Sequence, residues 1–573
     1  MPAYVCFISS GVLPTATTLK PCSFSTYNNS HHVLKRANSN AHPRTITCSS
    51  SVSGHQYGLV LPPAVPQNGQ KGDVKPTPII IRPDELHRSS FPKDFIFGAG
   101  TSAIQIEGDG TEGGRGPSTG DFIIDAANGG KGVDSYNKFK EDVRLLKEMG
   151  IPYYRFSIAW PRLLPDGTLD KINPDGVNYY NNLLDELERN GITPFVTLFH
   201  FDLPEALQKR YNGFMDRRII QDFSNYCDLC FRLFGNRIKH WMTINEAAAF
   251  VILSLTAEQK EDPINQFIVG HHILLAHAAV VKNYREKYQA TQGGELGMAI
   301  ISKWFEPRSL MSPDDQEAAD ISFDFLVGWF MHPLKYGEYP HHMKKWVRGL
   351  PEFSEEEKKS LKDSSDFFGI NYYTGAFAQA VRSGQMELTK GVTDLRYLIV
   401  EGAERDGVLI GPAANGSDQI YIYPEGLLKL ILHVKEYYGN IKMYVTENGC
   451  SSYSKITMSI PEAKAAGKLS EIEKELNDAQ RLEYIQLHLQ SLLLAMNEGA
   501  NVQGYIVWSL LDNSEFGNYD IRFGLGFVDY HDDYKRYVKK SGKWYAGFLA
   551  PRREGSGMRP ILMDKATAAI PQS

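Results

Sequence analysis

Two glutamates stand where short apolar runs end: Glu246 closes HWMTINE (240–246) and Glu447 lies near the end of MYVTENG (443–449). A buried strand end has no structural need for a carboxylate, which is costly to desolvate unless it is paired or at work. Two carboxyls facing one cleft can divide the cleavage of a glycosidic bond: one, protonated, donates to the leaving oxygen, while the other, ionised, attacks or activates water. Their surroundings must then push their pKa values apart. Arg155 inside YYRFSIAW (153–160) supplies a cation to hold one as the anion, and Tyr373 at the end of DFFGINYY (366–373) a hydrogen bond to it. Gln105, His200, Asn245 and Glu515 offer donors and acceptors of the kind sugar hydroxyls need, and Trp508 an apolar platform for a ring face. A single glutamate at a strand end is more often a cap or an ion-pair member than a catalyst; the convergence of the whole set is what points to chemistry.

These residues hang on a repeating pattern. Eight apolar runs recur: FIFGAGTSA (95–103), YYRFSIAW, PFVTLFH (194–200), HWMTINE, ELGMAIISKWF (295–305), DFFGINYY, MYVTENG and VQGYIVWSLLD (502–512). Between them lie segments of helical period. From Ser135 to Met149, Phe139, Val143, Leu146 and Met149 share a face and Gly150 supplies the stop; from Pro174, Tyr179, Leu183, Leu184 and Leu187 do the same up to Gly191. Continuous apolar runs alternating with helices predict an α/β fold, a closed (β/α)8 TIM barrel in one domain over residues 91–550, rather than an open doubly wound sheet. Such barrels gather their polar residues at the C-terminal strand ends. Glu246 and Glu447 then stand on the fourth and seventh strands and face one cleft.

The chain has 573 residues, 42% hydrophobic and 22% charged, with a net charge of −6 spread without runs. That balance argues against a nucleic-acid stripe or a polybasic membrane patch and fits a small neutral substrate. No apolar run approaches the roughly 20 residues of a membrane span. From Met1 to Lys71 there is no Asp or Glu, while Ser, Thr and Asn are dense. Residues 1–72 therefore read as a disordered plastid transit peptide, with the secretory pathway or vacuole as the alternative, followed by a linker over 73–90 and, after the barrel, a tail over 551–573. Cys227 and Cys230 sit one helical turn apart and are expected in the core. His271, His272 and His277 lack carboxylates at ligand spacing and are expected to be structural, and His341 and His342 to lie solvated in a loop after Pro340. Neither a metal nor a cofactor is needed, because a protonated glutamate does the work of a Lewis acid. Self-association into a homo-oligomer is left open.

The ordered motifs SAIQIEG (102–108), YRFSIAWPRLLP (154–165), TLFHFDLPEAL (197–207), TINE (243–246), GINYYT (369–374), VTENG (445–449) and WSLLDNSEFGNYDIRFGLGFVDY (508–530) resemble those of glycoside hydrolase family 1, and the plant β-glucosidases in particular. The resemblance covers roughly residues 91 to 548. It implies a retaining double displacement through a covalent glucosyl-enzyme, with Glu246 as acid/base and Glu447 as nucleophile. It also implies that Gln105, His200, Asn245, Glu515 and Trp508 hold the sugar and that Arg155, Asn371 and Tyr373 support the nucleophile. Departures accompany it. Ala247 stands where the family usually has Pro, Phe516 where it has Trp, STGD (118–121) where it has SIWD, and HFD (200–202) where it has HWD. The segment from Ala247 to Asn265 is shorter than the family's aglycone loop, which predicts a more open or a damaged leaving-group site. Similarity to alkaloid and iridoid glucosidases implies a β-glucoside of a specialised-metabolite aglycone as substrate. Transglucosylation at the same site and a catalytically impaired binding protein are the alternatives.

Overall fold

A computed structural model describes residues 45–49, 56–60, 86–108, 112–123, 132–380 and 399–551. Thr45–Ser49 and Gln56–Val60 form an antiparallel ladder, with Thr45 opposite Val60. The rest of the expected transit segment, the linker before Leu86 and the tail beyond residue 551 lie outside the described residues.

Every one of the eight apolar runs is a strand: β1 (Ile96–Gly100), β2 (Tyr153–Ser157), β3 (Thr193–Phe199), β4 (His240–Asn245), β5 (Glu295–Pro307), β6 (Phe367–Ala380), β7 (Met443–Asn448) and β8 (Val502–Trp508). Each pairs in parallel with the next, and β8 returns to β1, so the sheet closes. A short strand, Ile399–Gly402, adds antiparallel to the outer half of β6. The expected helices form as Ser135–Glu148 and Pro174–Arg189, and Gly150 and Gly191 follow them with φ of 64° and 68°. In that left-handed region a side chain on Cβ is strained, so glycine ends a helix there at least cost.

One side chain from each strand fills the barrel interior: Ile96, Tyr153, Phe195, Met242, Ala299, Phe367, Tyr444 and Ile506. Phe195, Phe367 and Tyr444 meet edge to face, with ring centres 5.0 to 5.7 Å apart. The barrel is therefore a packed core closed below the polar strand ends, leaving chemistry to its C-terminal rim. Cys227 and Cys230 are buried on the helix Ile219–Phe234, as expected.

Two expectations change. His341 and His342 begin a helix, His341–Trp346, and His342 Nδ1 lies 2.6 Å from the Asp324 carboxylate, whose hydrogen bond raises the imidazole above its ordinary value. The carboxylate that captures His342 is 18 residues away in sequence, which is why the local pattern read as solvated loop. Also, the helix Ile264–Lys287 is long and apolar enough to span a bilayer by length and composition, although no continuous apolar run marks it. Most of its apolar window is buried inside the fold, and His277 on it is held between Thr243 and Ser364.

Beyond β8 the chain makes an irregular loop fastened by buried ions. The Asp512 carboxylate accepts from Lys539 Nζ at 2.6 Å, Arg522 at 3.2 Å and the Gly524 amide at 3.0 Å, all away from water. Removing one member of such a set leaves uncompensated buried charge. Asp512→Ala is expected to lower the unfolding free energy by about 3–5 kcal/mol, read from denaturant titration; a change within about 0.5 kcal/mol would show that this cluster does not hold the loop.

Candidate active site

The polar strand ends meet as the sequence places them. Glu447 on β7 forms an ion pair with Arg155 of β2 and accepts from Tyr373 Oη of β6 at 2.6 Å. The second guanidinium nitrogen of Arg155 donates to Asn245 Oδ1 at 2.6 Å. Asn371 Nδ2 donates both to that same oxygen at 3.1 Å and to Glu246 Oε1 at 2.9 Å. Asn245 Nδ2 in turn reaches His200 Nε2 at 3.2 Å. One continuous hydrogen-bonded chain thus runs from Glu447 through Arg155, Asn245 and Asn371 to Glu246.

The sugar-directed residues lie beside this chain. His200 stacks on the Trp508 indole with ring centres 5.8 Å apart, and the Arg155 guanidinium lies 5.8 Å from the same ring. Gln105 Nε2 donates to Glu515 Oε1 at 3.3 Å, to Asn513 Oδ1 and to the Ser514 carbonyl. Glu515 and Phe516 follow each other on the turn beyond β8, and Phe516 takes a φ of 49°. The backbone of that turn is tied to the loop of β1 by Ser514 Oγ and the Gly517 amide, both donating to the Ile123 carbonyl.

Three carboxyls share this cleft, and the Arg155 guanidinium pairs with Glu447 alone. Burial, and then the negative charge of Glu447, push Glu246 well above the usual carboxylate range, against a smaller opposing pull from the Asn371 hydrogen bond. Burial likewise lifts Glu515 to about 8, opposed by its hydrogen bonds with Trp508 and Gln105. His200 is pushed far below its ordinary value, first by burial and then by Arg155, so its imidazole is neutral. The arrangement therefore holds one protonated and one ion-paired carboxyl on strands four and seven of the same barrel.

The altered segment after Glu246 is ordered. Glu246 has a φ of 45°, its amide donates to the Ala299 carbonyl of β5 at 2.9 Å, and Ala247 opens a helix, Ala247–Ser254. Alanine is the best helix former, and proline at a first helical position serves the same turn, so Ala247 keeps the backbone path that aims Glu246 at Asn371. Gln105, Arg155, His200, Asn245, Glu246, Asn371, Tyr373, Glu447, Trp508 and Glu515 converge on this rim, and Phe516 follows Glu515 on the turn. The structure adds Thr446, whose Oγ1 donates to Asn371 Oδ1 at 2.7 Å and so fixes which way that amide points. A register shift between Val445 and Glu447 lets both Thr446 and Glu447 reach β6, a detail that strict strand alternation hides.

A model of glycosyl hydrolase family 1 matches residues 87–553. Beta-glucosidase 12 of Oryza sativa subsp. indica is 44% identical over 491 residues, covering 81% of this chain and 93% of that protein. Raucaffricine-O-beta-D-glucosidase of Rauvolfia serpentina is 42% identical over 506 residues, covering 80% and 91%. The crystal structure of a rice beta-glucosidase superposes with a TM-score of 0.75 at 37% identity, covering 81% of this chain and 100% of that one. A mutant of the rice enzyme in a covalent complex with Glc superposes with a TM-score of 0.74. The chain belongs to glycosyl hydrolase family 1 and is an O-glycosyl hydrolase.

Because Tyr373 gives Glu447 a charge-assisted hydrogen bond at 2.6 Å while Arg155 keeps the ion pair, Tyr373→Phe separates the two supports. Hydrolysis of an aryl β-glucoside is expected to fall about 10- to 100-fold in kcat/KM with little change in thermal midpoint; an unchanged rate would show that the phenol is dispensable.

Proposed function

We propose that this protein is a retaining β-glucosidase with Glu447 as nucleophile and Glu246 as acid and then base. The observation that carries the reading is the unequal pair itself: Glu447 held by Arg155 and Tyr373, and Glu246 kept protonated by burial beside it. In the first step a Glu447 oxygen bonds to the anomeric carbon as the bond to the leaving oxygen breaks, and Glu246 gives its proton to that oxygen. In the second, Glu246 takes a proton from water, whose oxygen bonds to the anomeric carbon and releases Glu447. Gln105, His200, Asn245, Glu515 and Trp508 hold the sugar. Several relatives are named for raucaffricine or ipecac alkaloids, and we place the leaving group in the same broad class, a specialised-metabolite aglycone. The acid-free, hydroxyl-rich stretch from Met1 to Lys71 supports delivery to plastids; a fluorescent fusion of residues 1–72 is expected to enter plastids, and secretion of it would refute that address.

A 2-deoxy-2-fluoro glucoside with an activated leaving group is expected to label Glu447, mapped by peptide mass spectrometry; stoichiometric label elsewhere, or none on folded protein, overturns the assignment. Glu246 must be protonated to act, so kcat/KM is retained below its raised pKa and lost as pH rises through it. Glu246→Gln is expected to abolish that alkaline limb. It should also slow poor leaving groups at least about 100-fold more than a dinitrophenolate, which leaves without a proton; equal slowing of both would sink the acid role.

A further inference from the structure

The fifth and sixth strands run on past the catalytic plane, and their register shows which side chains face the cleft there. Ile301 pairs with Asn371, whose side chain reaches Glu246, and Ser302 pairs with Tyr372, whose hydroxyl is bonded on the opposite side to the Tyr423 carbonyl. Past a one-residue shift, Trp304 pairs with Gly375 and Glu306 with Phe377. The Trp304 ring contacts His433, and Glu306 is bonded to Tyr423 and Lys429, so these even-numbered positions of β5 face the helix Pro424–Tyr438. By strand alternation, Lys303 and Phe305 belong to the face that carries Asn371 and Tyr373, beyond Glu246 in the direction in which the aglycone leaves. Glu401, opposite Ala378 on the added strand, shares that face.

Lys303 is an unusual residue to bury on such a wall. It is 6% exposed and Phe305 4%. Its ammonium has three donors, yet among the described residues it makes no hydrogen bond: its partners are the Glu401 carboxylate at 3.6 Å, beyond hydrogen-bond range, and the Phe305 ring centre at 5.7 Å. Its stem is buried, while its Nζ is not sealed from solvent, so the ammonium presents free donors to an incoming acceptor.

We propose that Lys303 is a specificity residue for the leaving group, and that it selects aglycones carrying a carboxylate, with Phe305 packing the ring that bears it. Glu401 is the ion-pair partner of Lys303 and sits on the strand added at the edge of the sheet, whereas Lys303 stands in the barrel wall. The proposal rests on the β-glucosidase reading and narrows it to acid-bearing aglycones.

The test uses 4-(carboxymethyl)phenyl β-glucoside and its carboxamide, whose phenolic leaving groups are alike but whose remote charge differs. The full-length protein is expected to favour the acid by about tenfold or more in kcat/KM, chiefly through KM. Lys303→Met should erase that preference, Lys303→Arg should keep it, and Glu401→Gln should enlarge it. Calorimetric affinities of the same two glucosides for Glu447→Gln, which binds without turnover, should show the same ratio. Hydrolysis without any preference for the acid, or a preference that survives Lys303→Met, overturns the proposal and leaves the β-glucosidase reading standing. If neither glucoside is hydrolysed, the reading of the catalytic pair fails, and the affinity ratio alone still decides for or against Lys303.

Discussion

The ion pair between Arg155 and Glu447 decides the state of everything around it. Three carboxyls are drawn into one poorly hydrated cleft, and the guanidinium beside them pairs with Glu447 alone. Burial, and with it the charge of Glu447, raises the other two against the smaller pull of their hydrogen bonds. Acid and nucleophile are thus distinguished by which carboxyl the cation touches, through the same residue type in two environments. The other end of that guanidinium organises Asn245, and through it Asn371 and His200, so the placement of Arg155 also orients the groups that meet the sugar.

That dependence explains why the rest of the barrel is built as it is. Arg155 reaches β7 from β2 across the interior, which works only if the interior is filled to a fixed height; the Phe195, Phe367 and Tyr444 cluster provides the floor. Glu515 beyond β8 is held by a backbone bridge to Asn518, and the buried Asp512, Lys539 and Arg522 set fastens the loop behind it. Stability is placed under the site and chemistry at its rim, the usual division of this architecture.

Much of this was legible in the sequence because barrel strands are apolar on both faces. A polar residue at the end of such a run stands out, and Gln105, Arg155, His200, Glu246, Glu447 and Trp508 were found that way. What escaped depends on contacts distant in the chain. His342 looked like a loop residue until Asp324 was beside it. Thr446, to which the sequence pattern gave no role, is brought to Asn371 by the local register shift. Lys303 lies within an apolar run whose two faces the sequence does not distinguish; only pairing with β6 shows which way it points. The departures at Ala247 and after it were visible, but their consequence was not, because a shortened segment can be either broken or folded, and here it is a helix that leaves Glu246 bonded to Asn371.

The central claim is that Glu246 is protonated because it is buried beside the charge of Glu447, to which Arg155 is bound. Carbon-13 NMR titration of glutamate-labelled protein measures this directly, with the Glu246 resonance assigned by its loss in Glu246→Gln. The account predicts that Glu246 titrates well above the ordinary value of 4.5 and that its pKa drops when Glu447→Gln removes the neighbouring charge. Titration near 4.5, or a raised pKa indifferent to that neutralisation, would contradict it.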